Sequence, residues 1–99
     1  MTRFSVYADP SGQGYLMDIQ ADAMSHFNTR VVIPLLPLEA APAPARILNP
    51  LFDIDGRQHV MATQYLAAVP AKLLKNAIFH ADGRREEIVA AVDLLLQGF

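Results

Sequence analysis

Leu51-Phe52-Asp53-Ile54-Asp55-Gly56-Arg57-Gln58-His59-Val60-Met61-Ala62-Thr63 is the stretch on which the fold turns. Leu51 to Ile54 and Gln58 to Thr63 flank Asp55-Gly56, and an Asp-Gly pair accepts the positive φ angles that a twisted two-residue hairpin requires. The stretch predicts a hairpin and, with it, an antiparallel sheet.

Working outward, the same alternation recurs upstream. Phe4-Ser5-Val6-Tyr7 alternates apolar and polar residues until Asp9-Pro10-Ser11-Gly12-Gln13-Gly14, whose glycines and proline supply turn dihedrals that other residues resist. After that turn, Tyr15, Met17 and Ile19 share one strand face while Leu16, Asp18 and Gln20 take the other, which predicts a half-buried strand. Thr29-Arg30-Val31-Val32-Ile33 is rich in β-branched residues, and Pro34 removes a ladder donor, so this strand is expected to end, bulge or lie at an edge there. Pro37 to Pro50 holds four further prolines, Pro37, Pro42, Pro44 and Pro50, among alanines, and reads as a long extended surface connection. Val69 to Leu74 predicts another short strand.

The end of the chain changes period. Ile88, Ala91, Val92, Leu95 and Phe99 recur at the spacing that lines one helix face, and Glu86 and Glu87 stand near the positive N-terminal dipole. Asp82 is the expected N-cap, and Gly98 is expected to stop the helix in a left-handed conformation.

Composition narrows the function classes. Ninety-nine residues, 53% of them hydrophobic, suit one domain over residues 1–99 with one core. Without cysteine there is neither a disulfide nor a thiolate ligand, so packing and a partner subunit are expected to supply stability. No run approaches the roughly 20 apolar residues that cross a bilayer, and a cytoplasmic location is expected. The net charge of -2 and the scattered basic residues argue against direct binding of nucleic acid, which rewards clustered cations.

Catalytic motifs are absent from the spacing. His26, His59 and His80 are isolated from one another, so they read as structural histidines rather than metal ligands, and no metal or cofactor is expected. Asp53 and Asp55 are two apart, yet Asp55 is accounted for by the turn, so no acid-base pair is assigned. Ser5, Ser11 and Ser25 lack a nucleophile elbow, and Gly12-Gln13-Gly14 lacks the third glycine and the setting of a phosphate loop. Thr29-Arg30 offers a hydroxyl and a guanidinium, but reads more simply as the polar start of a strand.

Four segments taken together carry a family resemblance. Met17-Asp18-Ile19-Gln20-Ala21-Asp22, Thr29-Arg30-Val31-Val32-Ile33-Pro34-Leu35, Thr63-Gln64-Tyr65-Leu66-Ala67-Ala68-Val69-Pro70 and the ending Gln97-Gly98-Phe99, in this order and spacing, resemble the CcdB toxins. The resemblance implies a mainly β chain with a C-terminal α-helix, folded as a small SH3-like barrel of the CcdB/MazF type around an antiparallel sheet. It also implies a symmetric homodimer that is not an enzyme: a type II toxin that binds the DNA gyrase A subunit and traps gyrase on cleaved DNA.

By the same resemblance, gyrase contacts fall on Ala23, Met24, Asp93, Leu96, Gln97, Gly98 and Phe99. A CcdA-like antitoxin, partly disordered until it folds over the toxin, is expected to contact Ala8, Asp9, Pro10, Ser11, Gly12, Gln13 and Gly14, and Pro42, Ala43, Pro44, Ala45, Arg46 and Ile47. Toxin and antitoxin together would repress their operon, with the antitoxin touching the DNA. Two positions depart from the family pattern, since some members have tryptophan at the place of Gln97 and commonly isoleucine at that of Phe99. The alternatives are a MazF-like endoribonuclease on the same fold, with Thr29 and Arg30 as first candidates, and a homologue that has lost gyrase poisoning.

Overall fold

The computed structural model, which describes residues 2–98, contains the hairpin at Asp55-Gly56 with φ angles of 53° and 76° at the two turn residues. Both are positive, as a type I′ turn demands. Among the described residues seven strands follow in chain order: β1 (Ser5–Ala8), β2 (Tyr15–Asp18), β3 (Thr29–Pro37), β4 (Leu51–Ile54), β5 (Arg57–Met61), β6 (Ala67–Pro70) and β7 (Phe79–His80), and then the helix α1 (Arg85–Gln97). Every pairing is antiparallel; the order is β4-β5-β3-β2-β1-β7 with β6 also on β3, and the sheet curls into a half-barrel.

Gly56 has open space around it, so replacing it stresses only the backbone. Gly56→Val is expected to cost about 1 kcal/mol or more, because a β-branched side chain resists positive φ. In a domain of this size that lowers the melting temperature by roughly 4–8 °C per kcal/mol. An unchanged thermal melt would contradict the turn.

The first hairpin also forms, with Val6 opposite Met17 and Ala8 opposite Tyr15. Gly14 is required there for a second reason: at φ 81°, a Cβ would lie 2.3 Å from the Leu35 carbonyl oxygen.

Pro34 does not end β3. On the β2 side Tyr15 to Asp18 pair with Leu35 to Val32 without a skipped residue. On the other edge Thr29 to Val32 pair with β6 and Leu35 to Pro37 with β5. The Pro34 carbonyl accepts from the Ala62 N–H at 2.9 Å on this edge, and a residue's two backbone groups point the same way in an antiparallel strand. Its missing donor therefore falls in the gap where one partner strand gives way to the next, and costs no ladder bond.

Alternation sorts the side chains into two layers. Val6, Met17, Ile33 and Leu35 join Phe4, Phe52, Ile54 and Met61 in the main cluster, which Ile88 and Ala91 of α1 cover. Tyr7, Leu16 and Val32 point the other way and pack with Leu74. That second layer corrects the expectation of a half-buried β2: Leu16 and Asp18 are buried as well as Met17, because the chain after β6 returns over this face.

Other boundaries move for physical reasons. β6 starts at Ala67 rather than Val69, since pairing of Ala67 and Ala68 with Val32 and Val31 outweighs the weak strand propensity of alanine, and Ala71–Leu73 turns into a 3-10 helix. Thr63, expected in the second strand of the central hairpin, begins the 3-10 turn Thr63–Tyr65 instead. β7 has two residues, too few for a periodic signal. Asp82 is not the N-cap of α1: it opens the 3-10 turn Asp82–Arg84, and Arg84 takes the cap position without a side-chain cap bond. The first turn is held instead by Arg84, whose Nε and Nη2 donate to Glu87 at 2.8 and 2.9 Å while its guanidinium lies 4.0 Å above the Phe52 ring. No helix among the described residues is long and apolar enough to cross a membrane.

Candidate functional site

The exposed end of α1 follows from how the helix is seated. Ile88 and Ala91 are buried, and Val89 and Val92 pack partly against the same cluster, so the first half of the helix is fixed to the sheet. Further along, Asp93 and Leu95 are half-buried, Leu96 is 66% exposed, and Gln97 is exposed. Gly98 ends the helix as expected, at φ 80°, with its N–H on the Leu94 carbonyl at 2.9 Å. Phe99 lies outside the described residues.

Ala23 and Met24 lie in the exposed 3-10 turn Asp22–Met24 after β2, where Met24 is 44% exposed. Gln20 staples this turn to the sheet: its amide nitrogen donates to the Met24 carbonyl at 3.0 Å, and its amide oxygen accepts from the Val31 N–H at 2.9 Å. No hydrogen bond or ion pair among the described residues joins this turn to the last turn of α1.

The two loop sets are also built differently. In Ala8 to Gly14, the Asp9 carboxylate accepts from the Ser11 N–H and hydroxyl at 2.9 and 2.7 Å, while the Asp9 N–H bonds the Gly14 carbonyl at 3.1 Å. Pro42 to Ile47 belongs to a connection that is less slack than expected, because Asn49 is buried and pins it. The Asn49 Oδ1 accepts from the Ala45 N–H at 2.9 Å, and its Nδ2 donates to the Met61 carbonyl at 3.0 Å and to Gln64 at 2.8 Å. Thr63 adds a hydroxyl bond to the Leu48 carbonyl at 2.5 Å. This rigid base presents Ile47 59% exposed at φ 71°, an outlier for a β-branched residue.

A family model described as CcdB protein matches residues 3–98, nearly the whole described chain. The chain belongs to the CcdB family. As a CcdB protein it is a toxin of the toxin–antitoxin kind. Comparison with curated proteins gives no match.

For this CcdB chain the residues proposed for ribonuclease chemistry are poorly placed. Thr29 is exposed, but Arg30 is fully buried on the second face of the sheet, with its Nε donating to the Asp18 carboxylate at 2.8 Å. Its guanidinium is out of reach of a phosphate. His59 is buried edge-on against Tyr15 at 5.2 Å, and His26 meets Phe27 edge to face at 4.5 Å. Among the described residues no group of three or more histidine or carboxylate side chains is arranged to hold a metal ion.

The structure brings to the first turn of this toxin residues that spacing did not single out. Gly12, Gln13 and Tyr15 border a cleft of about 590 Å³ with Glu39, Arg57 and His59 on its other walls. Arg57 is ion-paired with Glu39 at the rim, and the Glu39 carboxyl is held below its usual range, first by a backbone hydrogen bond at its own residue and then by the Arg57 charge. These side chains come from three separate segments, and only the folded register of β3 and β5 collects them.

Proposed function

We propose that this CcdB protein poisons bacterial DNA gyrase. As a cytoplasmic homodimer it binds the gyrase A subunit through Ala23, Met24, Asp93 and the end of the chain from Leu96 to Phe99, and holds the enzyme on cleaved DNA. It performs no catalysis itself. A CcdA-like antitoxin neutralises it through the Ala8 to Gly14 turn and the Pro42 to Ile47 loop, and the pair represses its own operon. The observation that carries this reading is the family match across residues 3–98. The projecting last turn of α1, with Leu96 free of the core, supports it, because apolar anchors that enter a partner pocket dominate interface energy.

The test combines purified protein, gyrase, supercoiled plasmid and ATP, followed by detergent and protease. Linear DNA is the expected product, and its absence would favour a homologue that has lost poisoning. An RNA substrate run in parallel is expected to stay intact, given the burial of Arg30.

Dimerisation is read separately. A short chain that leaves Tyr65, Ile78 and Phe27 about half exposed is expected to unfold at a midpoint that rises with protein concentration. A concentration-independent midpoint together with monomer in light scattering at micromolar concentration contradicts the dimer.

Ile47 offers a test of the antitoxin surface with effects of opposite sign. Left-handed backbone costs an L-residue roughly 1–2 kcal/mol, and asparagine tolerates it better. Ile47→Asn is therefore expected to raise stability by about 1 kcal/mol while weakening antitoxin binding by roughly tenfold or more. Thermal melting and antitoxin titration read the two terms. A lower melting temperature would contradict the strain, and an unchanged affinity would contradict the contact.

A further inference from the structure

The chain has six arginines, and three of them, Arg30, Arg57 and Arg84, are ion-paired with Asp18, Glu39 and Glu87. Two of the other three, Arg3 and Arg85, come from opposite ends of the sequence and line one cleft of about 670 Å³ between the segment before β1, the turn after β2 and the start of α1. Neither forms an ion pair among the described residues. Both guanidinium groups lie over the ring of Phe4, at 4.7 and 5.6 Å from its centre. Phe4 itself is buried at φ 71°, a conformation bulky residues avoid. It is held there from both sides: its N–H donates to the Asp18 carbonyl, and its carbonyl accepts from the Ala81 N–H at 2.8 Å. The strained residue thus holds two like charges near one ring, where they repel each other.

His80 lines the same cleft. Its Nδ1 is 3.0 Å from the Ser5 hydroxyl, which is 2.8 Å from the Thr2 hydroxyl, so the ring is oriented by a buried partner and Nε2 is the nitrogen left for a ligand. Two carboxylates, Asp22 and Asp82, also border the cleft. Asp22 accepts from the Arg3 backbone N–H at 2.7 Å rather than from a guanidinium, and the Arg3 Nε donates to the Ile19 carbonyl at 3.1 Å, so on Arg3 the two Nη groups are left for a ligand.

We infer that this cleft binds a phosphomonoester of a small polar molecule. The Arg85 guanidinium and the Nη groups of Arg3 offer donors suited to phosphate oxygens, and such charge-assisted bonds are the strong ones. A phosphate also relieves the repulsion between the paired cations. The space exceeds a single phosphate group, and Asp22 and Asp82 can accept hydrogen bonds from hydroxyl or amino groups on the remainder of the ligand. A nucleic-acid backbone would set its further phosphates against these two carboxylates, which disfavours it relative to a single phosphomonoester. None of these residues belongs to the gyrase or antitoxin sets, and the inference stands whether or not gyrase is the target.

Calorimetric titration of the full chain with ribose 5-phosphate, inorganic phosphate and ribose is the test. Ribose 5-phosphate is expected to bind and raise the melting temperature, inorganic phosphate to bind more weakly, and ribose not at all. Arg85→Gln alters an exposed residue and is expected to weaken binding by roughly tenfold or more, Arg3→Gln likewise, while Lys75→Gln leaves it unchanged. Absence of heat and of a melting shift at millimolar ribose 5-phosphate would overturn the site. Equal affinity for inorganic phosphate would overturn the phosphomonoester assignment, and undiminished binding by a folded Arg85→Gln protein would overturn the role of the arginines.

Discussion

Asp18→Ala is expected to destabilise the fold by about 3–5 kcal/mol, a large share of the roughly 5–15 kcal/mol that holds a domain together. Asp18 and Arg30 are both 0% exposed, on neighbouring strands and the same face of the sheet, twelve residues apart in sequence. The pair is already imperfect. Nη2 lies 2.6 Å from the Asp18 oxygen as an ion but without hydrogen-bond geometry, and neither Nη1 nor Nη2 has an acceptor. Removing the carboxylate leaves a buried cation with nothing to offset its desolvation, which is the costly way to break such a pair. Removing both charges is different: Asp18→Leu with Arg30→Met is expected to recover most of the loss, because apolar side chains of similar volume suit the Tyr7, Leu16, Val32 layer. Urea unfolding of the three proteins decides the matter. An Asp18→Ala midpoint close to the parent's, or a double variant as unstable as the single, would show that the pair does not hold the second layer.

The same pair marks the limit of what the chain discloses in one dimension. Asp55-Gly56 was readable because both φ angles are set by the two residues themselves, and Gly98 for the same reason. Asp18 and Arg30 looked like ordinary strand polar residues, since they lie buried on the face of the sheet where Leu74 packs with Tyr7, Leu16 and Val32, a face that alternation alone would leave to water. Pro34 misled in a related way: a missing donor matters only if a partner acceptor stands opposite it, and the exchange of β6 for β5 on that edge is a property of the sheet. Asn49, which fixes the proline-rich connection, carries no local cue, because its partners at Met61 and Gln64 lie beyond the next hairpin. The candidate surfaces followed the same division. The tip of α1 was carried by a contiguous ending, Gln97-Gly98-Phe99, whereas Arg3, His80 and Arg85 line one cleft only because β7 pairs with β1 and brings the segment before β1 close to the start of α1.

Deleting Gln97, Gly98 and Phe99 is expected to abolish linearisation of plasmid by gyrase while leaving melting temperature and antitoxin affinity nearly unchanged. The helix is fixed by Ile88 and Ala91 in the main cluster, and of the deleted residues Gln97 and Gly98 bury nothing in it, so chain-end removal has little core to disturb. The structural bond lost is the Gly98 N–H to Leu94, a single contact at the end of the helix. The proposed partner surface, in contrast, loses its terminal aromatic, and the proposed two-fold dimer would lose both copies at once against a two-fold target. Three measurements separate the possibilities: thermal melting, antitoxin titration and the yield of linear DNA. Retained linearisation would remove the end of the chain from the gyrase surface. A melting temperature lower by several degrees would place Phe99 in the core as a continuation of the Ile88 stripe. Phe99→Ala resolves the two roles further, because an anchor in a partner pocket is expected to cost about 2 kcal/mol or more of binding with no cost to folding, whereas a core phenylalanine is expected to cost about 3–5 kcal/mol of stability.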